Sequence, residues 1–178
     1  GMEDNTLIIF MGDNGRCNIR GKGYLYEPGI RVPLIIWAPS LIKAGLVDDS
    51  LLTSVDITAS VLDIAGVDIP AYVTGRPFIA KPSKNEREYI HAARDIWDEI
   101  DECSRVIRDK NFSYIKNYMP EIPYDAGQAY LELNRPAVHR MRALQNSNDL
   151  GLEEKLFFTK EKPKEELYDV KNDPHQIH

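Results

Sequence analysis

Two oxygen-bearing side chains follow an apolar run near the start of the chain. Asp13 and Asn14 stand in the sequence Gly-Asp-Asn-Gly, directly after the apolar residues 5–11. Loops just past strand ends are where open α/β sheets hold ligands, and carboxylate and carboxamide oxygens suit calcium or magnesium. Asp-Asn-Gly is also a common turn sequence. The pattern therefore leaves a cation site and a plain turn both open.

Four basic side chains fall in the next short stretch, where Glu27 is the only acid: Arg16, Arg20, Lys22 and Arg31. Such a stretch would bind a small anion if the fold brings the cations together. The alternative is a solvated loop. The whole chain carries a net charge of -6, which argues against nucleic acid or an anionic membrane as the main partner.

The two cysteines, Cys17 and Cys103, do not indicate a disulfide framework or a zinc site, because they are too few and too far from other Cys or His. The apolar stretch 32–38 is far shorter than the roughly 20 residues that a membrane-spanning helix needs. Neither feature assigns a cellular compartment.

A folded scaffold must position these side chains, because 43% apolar and 28% charged residues is the composition of a globular protein. Residues 5–11 and 33–37 are short apolar runs typical of buried parallel strands. Residues 53–66 predict a helix, with Thr53 and Asp56 as a capping box and Gly66 at its end. These elements predict an α/β layer arrangement.

A second, smaller sheet is predicted beyond a polar linker that begins near Pro82. Residues 105–108 and 112–116 read as strands joined by an Asp-Lys-Asn turn, which indicates an antiparallel hairpin. Further elements are predicted at 88–93 (strand), 137–145 (helix, after Pro136) and 167–170 (strand). The predicted division is residues 2–82 and residues 83–178.

The order of motifs in the first part of the chain resembles the sulfatase family of the alkaline phosphatase superfamily. Asp-Asn-Gly is followed by Gly21-Lys22-Gly23, Leu-Tyr-Glu at 25–27, Gly-Ile-Arg-Val-Pro at 29–33 and a second apolar strand. Later segments are similar to that family as well: 54–57, 62–66, 75–76, 91–95, 114–118, 166–169 and 173–174. The resemblance implies the C-terminal part of an alkaline-phosphatase-like core sheet with helices (2–82), followed by a C-terminal antiparallel-sheet subdomain (83–178).

The resemblance also implies roles for particular residues. Asp13 and Asn14 would be the second pair of ligands to a divalent cation, usually calcium, and Lys22 would contact the sulfate group as a catalytic and substrate-binding residue. Cation and ammonium together would stabilise negative charge on sulfate oxygens; the alternative for Lys22 is a surface lysine. His91 and Arg94 are candidate substrate contacts, and the alternative for Arg94 is an ion pair with Asp95.

The family's nucleophile motif, Cys/Ser-x-Pro-x-Arg with its first residue converted to formylglycine, has no counterpart here. Cys17 is followed by Asn-Ile-Arg, and Cys103 is followed by Ser-Arg-Val. In the family this motif and an earlier acidic metal-binding pair precede the segment that the chain resembles. We therefore expect a fragment of a sulfuric ester hydrolase whose parent acts on a sulfated carbohydrate or an aryl sulfate, and which is inactive alone.

Two alternatives stay open: a non-catalytic binding or complementation module, and a fragment of a related phosphodiesterase with a different nucleophile. We further expect weak divalent-cation binding, since Asp13 and Asn14 are only two of the roughly six to eight ligands that calcium takes. Exposed strand edges also predict association, either as a homo-oligomer or with a missing N-terminal half.

Overall fold

The computed structural model describes residues 2–80 and 87–178. The chain forms two compact units: the first comprises the residues up to Met11 and Pro33–Ile90, and the second comprises Gly12–Val32 and His91–His178. The predicted boundary near residue 82 lies outside the described residues. The segment that carries Asp13, Asn14 and Lys22 belongs to the second unit, together with the C-terminal residues.

The secondary structure consists of short elements. In chain order they are a 3-10 helix Glu3–Asn5, β1 Ile8–Met11, α1 Glu27–Ile30, β2 Leu34–Trp37, α2 Ser54–Ile64, β3 Ile90–Trp97, β4 Ile100–Arg108, β5 Phe112–Asn117, α3 Ala129–Asn134, α4 Pro136–Asn146, α5 Leu152–Lys155, a 3-10 helix Leu156–Phe158 and β6 Glu165–Asp169. Among the residues described, none of these helices has the length and apolar character needed to span a bilayer.

The first unit contains a two-stranded sheet of β1 and β2. Both strands occur where the sequence predicts them, but they pair antiparallel, with Ile8 opposite Trp37 and Phe10 opposite Ile35. These four side chains share one face and are 52%, 38%, 65% and 61% exposed, respectively. The prediction of buried parallel strands is therefore wrong. An apolar run indicates a strand, but it specifies neither the direction of the neighbouring strand nor what covers the sheet.

The helix α2 begins as predicted. Thr53 and Asp56 form the capping box, with the Thr53 N–H donating to Asp56 Oδ2 at 2.8 Å. Asp56, which is 1% exposed, also accepts from the Arg76 N–H at 2.7 Å and from the Arg87 guanidinium. Burial raises the pKa of Asp56, but these hydrogen bonds outweigh burial and leave the pKa below its ordinary value. One buried carboxylate thus joins the helix start to two later segments.

The second unit is built on a four-stranded sheet in the order β3-β4-β5-β6. The predicted hairpin is confirmed: β4 and β5 pair antiparallel up to Arg108 opposite Ser113. Asp109 Oδ1 closes the turn by accepting from the backbone N–H groups of Asn111 and Phe112 at 2.7 and 2.6 Å. The predicted strand near 167–170 is found as β6, and α4 begins at Pro136 as predicted.

The core of the second unit draws on both of its chain segments. Its buried apolar residues are Tyr24, Leu25, Tyr26, Val106, Ile115, Leu131, Val138 and Phe157. Tyr24 and Tyr26 are each 3% exposed. Burial of aromatic side chains of this size contributes about 2 kcal/mol or more each, so the segment Gly12–Val32 is fixed to the C-terminal sheet by packing.

We predict that the chain self-associates through the face formed by Ile8, Phe10, Ile35 and Trp37. The face is neutral and apolar, and in the described part of the chain β1 and β2 each have only one strand neighbour, so apolar area and unpaired backbone groups are both available to a second copy. Phe10→Lys should shift the chain toward monomer in sedimentation. The matched control Val47→Lys, at a side chain 90% exposed, should not. A wild-type monomer at micromolar concentration would contradict this prediction.

Candidate functional site

The segment Gly12–Val32 folds back on itself through backbone hydrogen bonds. The Arg16 N–H donates to Pro28 O at 2.9 Å, and the Lys22 N–H donates to Arg16 O at 2.8 Å. Gly21 makes the close approach possible, because a Cβ there would lie 2.1 Å from Arg16 O. The backbone of Lys22 is therefore held by short contacts that only glycine allows beside it.

Two polar anchors fix the same segment to the rest of the second unit. The Glu27 carboxylate, in α1, pairs with the Arg108 guanidinium, with Arg108 Nη2 3.1 Å from Glu27 Oε2. The Glu27 N–H donates to Gln176 Oε1 at 2.6 Å, and Arg20 Nη2 donates to Gln176 O at 2.7 Å. Gln176 is fully buried, so these contacts are shielded from water.

The buried carboxylate of Glu166 accepts hydrogen bonds from four side chains, one of which belongs to the segment Gly12–Val32. Glu166, 7% exposed, accepts from Tyr26 Oη at 2.8 Å and Tyr168 Oη at 2.6 Å on Oε2. Its Oε1 accepts from Asn117 Nδ2 at 2.7 Å and Tyr124 Oη at 3.1 Å. Burial raises the pKa of all three phenols, and the neighbouring Glu166 carboxylate raises it further. The phenols stay neutral and act as donors.

The side chain of Lys22 is half-buried against an aromatic pair. Lys22 Nζ lies 4.8 Å from the centroid of the Tyr130 ring, and that ring lies 5.5 Å from the Trp97 ring. Trp97 also packs on the backbone beside Lys22: Gly23 has φ +88, and a Cβ there would lie 2.1 Å from the Trp97 ring. The backbone and the ammonium of Lys22 thus lie against neighbouring rings.

Two other basic residues of the segment, Arg20 and Arg31, are engaged within the unit, whereas Arg16 is exposed. The Arg20 guanidinium lies 3.9 Å over the Tyr26 ring and bonds to Gln176. Arg31 Nη1 lies 3.8 Å from Glu27 Oε2. Lys22 differs from Arg20 and Arg31, because the described part of the chain offers it an aromatic ring and no carboxylate within ion-pair distance. Its charge therefore remains available to an anion.

Asp13 and Asn14 lie in the turn that follows β1. Asp13 is exposed, and Asn14 Nδ2 donates to Gly15 O at 3.1 Å, which leaves the amide oxygen as the atom suited to a cation. Residues 2–80 and 87–178 contain no cluster of three or more His, Cys, Asp or Glu side chains placed to hold a metal ion. Asp13 and Asn14 each offer an oxygen suited to a cation. Cation binding by this pair stays a prediction.

The candidate substrate contacts on β3 differ in their surroundings. Arg94 is 8% exposed, and its Nη2 lies 2.8 Å from Glu102 Oε2. Asp95 instead pairs with Arg105, at 2.7 Å, so the alternative of an Arg94–Asp95 ion pair is wrong. His91 is exposed. Contact of His91 or Arg94 with a substrate stays a prediction.

The structure adds three side chains around Lys22 that the sequence did not single out: Trp97, Tyr130 and Arg135. Tyr130 lies on α3, a helix that no pattern in the sequence predicted. Its proximity to Lys22 arises from long-range packing, for which a single sequence carries no local signal. A glycine at position 23 allows close approach to the backbone, but the sequence alone does not indicate that Trp97 lies there.

Comparison with known proteins identifies the family to which this chain belongs. Residues 15–122 match the family described as N-sulphoglucosamine sulphohydrolase, C-terminal. The chain is 36% identical over 177 residues to an ulvan-active sulfatase of Formosa agariphila, covering 99% of this chain and 30% of that protein. It is 33% identical over 97 residues to an N-acetylglucosamine-6-O-sulfatase of Bacteroides thetaiotaomicron, covering 51% of this chain and 17% of that protein.

Solved structures agree in fold. A structure in complex with its substrate D-glucosamine-2-N,6-O-disulfate aligns with a TM-score of 0.66 at 22% identity, over 98% of this chain and 30% of that one. A structure described as a 2-O GAG sulfatase aligns with a TM-score of 0.64 at 19% identity, over 98% of this chain and 31% of that one. The predicted alkaline-phosphatase-like fold class is confirmed.

The chain therefore belongs to the sulfatase family, as its motifs indicated. Within that family it corresponds to the C-terminal sulfatase domain, and it spans about a third of the length of the Formosa relative, at 30%.

We predict that alkaline pH destabilises the second unit through its buried phenols. Folding raises the pKa of Tyr26, Tyr124 and Tyr168. Their contribution to the free energy of unfolding is therefore full below about pH 10, the pKa of tyrosine in the unfolded chain, and it is lost as the pH rises above that value. Tyr168→Phe should lower the free energy of unfolding by about 1 to 3 kcal/mol at neutral pH. It should also reduce the slope with which that free energy falls at alkaline pH. Urea unfolding at a series of pH values measures both effects. Tyr72→Phe, at a side chain 84% exposed, is the control; equal slopes in the two variants would contradict the prediction.

Proposed function

We propose that this chain supplies the sulfate-contacting part of a sulfatase that hydrolyses sulfate esters on carbohydrates. The observation that carries the proposal is the ammonium of Lys22, which is held on a tightly bonded segment and has no carboxylate partner among the described residues. The relatives named above support the substrate class, because one is an ulvan-active sulfatase and another is an N-acetylglucosamine-6-O-sulfatase.

The chemistry assigned to Lys22 is electrostatic. Hydrolysis of a sulfate ester places negative charge on the sulfate oxygens and on the leaving oxygen, and a donor fixed beforehand stabilises that charge without rearranging. Lys22 would donate to a sulfate oxygen while its backbone stays fixed by the contacts around Gly21 and Gly23. Asp13 and Asn14 would each give one oxygen to a divalent cation, which when bound would neutralise further charge on the sulfate.

The chain does not supply the nucleophile. Cys17 is exposed and Cys103 is half-buried, and both are free thiols, but neither stands in the motif that the family converts to formylglycine. Charge stabilisation alone does not replace a covalent nucleophile. The chain is therefore proposed to act only together with the part of a sulfatase that carries this group.

A second candidate function is a complementation module that associates with another polypeptide. The observation that favours it is the face formed by Ile8, Phe10, Ile35 and Trp37, whose side chains are between 38% and 65% exposed. The two proposals are compatible, since a module that completes a sulfatase would contribute Lys22 to the combined site.

We predict that the isolated chain releases no sulfate from an aryl sulfate, and that a hybrid does. The hybrid joins this chain to the part of the Formosa relative that this chain does not cover. In the hybrid, Lys22→Ala should lower the rate about 10²- to 10³-fold, as loss of one fixed donor does. Lys43→Ala, at an exposed lysine of the first unit, should leave the rate unchanged. Turnover by this chain alone that Lys22→Ala abolishes would contradict the proposed division of roles.

We predict weak calcium binding by the chain alone, because Asp13 and Asn14 offer two of the roughly six to eight oxygens that calcium takes. Water would fill the remaining positions. Calorimetric titration should show weak heat that Asp13→Ala removes and Asp68→Ala, at an exposed acid, does not. Sub-micromolar affinity would contradict the prediction and would require further ligands.

A further inference from the structure

We propose that Tyr130 is the positioning residue for Lys22, so that its ring sets where the ammonium meets an anionic sulfate group. The inference rests on the proposed function, in which Lys22 contacts sulfate. It deepens that function by naming a side chain on α3 that prepares Lys22 for the contact.

A lysine needs such support because its ammonium is a compact charge on a flexible four-carbon stem. Binding an anion with a free stem costs rotamer entropy at the moment of binding. The face of an aromatic ring attracts an ammonium within about 6 Å of its centroid, and Lys22 Nζ lies 4.8 Å from the centroid of Tyr130. The ring therefore restricts the ammonium before any anion arrives.

Tyr130 is itself fixed by Arg135. Arg135 Nη2 donates to Tyr130 Oη at 3.2 Å, and the guanidinium carbon lies 4.7 Å from the centre of the same ring. Arg135 is 7% exposed and also donates to Asn134 O at 3.0 Å. Since the guanidinium is nearly buried and planar, it holds the phenol in one orientation.

Trp97 contacts both the Tyr130 ring and the backbone at Gly23, the residue after Lys22. Its ring lies 5.5 Å from that of Tyr130, at an interplanar angle of 44°, and it packs so closely on Gly23 that a Cβ there would lie 2.1 Å away. One indole thus contacts the residue next to Lys22 in the chain and the ring under the ammonium of Lys22. Because the same indole contacts both, it sets the distance between the Lys22 backbone and the Tyr130 ring.

The test follows the ε-methylene signals of Lys22 by NMR while sodium sulfate replaces sodium chloride at constant ionic strength. In the wild-type chain the Tyr130 ring should shift the Lys22 ε-protons upfield, and sulfate binding should change their chemical shift. Tyr130→Leu should abolish the upfield shift and weaken sulfate binding about two- to five-fold. Tyr130→Phe loses the hydrogen bond from Arg135 but keeps the ring contacts with Trp97 and the Arg135 guanidinium, so it should retain both effects.

The matched control is a second lysine–tyrosine contact in the described part of the chain, in which Lys116 Nζ lies 5.1 Å from the centroid of Tyr118. Tyr118→Leu should leave the response of Lys22 unchanged. Tyr130→Met, which removes the ring but leaves a flexible apolar side chain that adapts to the space, replaces Tyr130→Leu should that variant fail to fold.

The possible outcomes distinguish the positioning role of Tyr130 from the sulfate contact of Lys22. Sulfate binding in Tyr130→Leu as tight as in the wild type, or tighter, would overturn the positioning role and leave the sulfate contact of Lys22 intact. Absence of any response of Lys22 to sulfate in the wild type would overturn the proposed function, and the positioning role with it. A loss of affinity in Tyr130→Leu that Tyr130→Phe does not show supports both.

Discussion

The second unit depends on the buried carboxylate of Glu166. A buried charge without hydrogen bonds costs several kcal/mol, and Glu166 meets that requirement with donors from Tyr26, Asn117, Tyr124 and Tyr168. These donors come from the segment Gly12–Val32, from β5, from the stretch after β5 and from β6. Satisfying one carboxylate therefore forces four separate parts of the chain to meet.

The position of Lys22 follows from this constraint. With Tyr26 bonded to Glu166 and Glu27 bonded to Arg108 and Gln176, the segment Gly12–Val32 cannot move independently of the C-terminal sheet. Its glycines then allow close contacts that hold the Lys22 backbone, while Tyr130 underlies the ammonium. Structural and functional residues are therefore coupled, because the network that stabilises the unit also places the cation proposed to meet sulfate.

The sequence predicted the local elements well, because capping, turn and apolar patterns are local. The helix after Thr53, the turn at Asp109 and the helix after Pro136 all occur where these patterns place them. It was wrong about the burial and direction of β1 and β2, since an apolar run does not encode its partner. The surroundings of Lys22 could not be predicted for the same reason: Tyr130 meets it only through tertiary packing.

The most direct test of the central claim, that the ammonium of Lys22 is presented for contact with sulfate, is its rate of acetylation measured by mass spectrometry. The wild-type chain is labelled in sodium sulfate and in sodium chloride at equal ionic strength, with the exposed Lys43 as an internal reference. We expect sulfate to slow acetylation of Lys22 selectively, because a bound anion covers the amine. Equal labelling rates for Lys22 in the two salts, or equal slowing at Lys22 and Lys43, would contradict it.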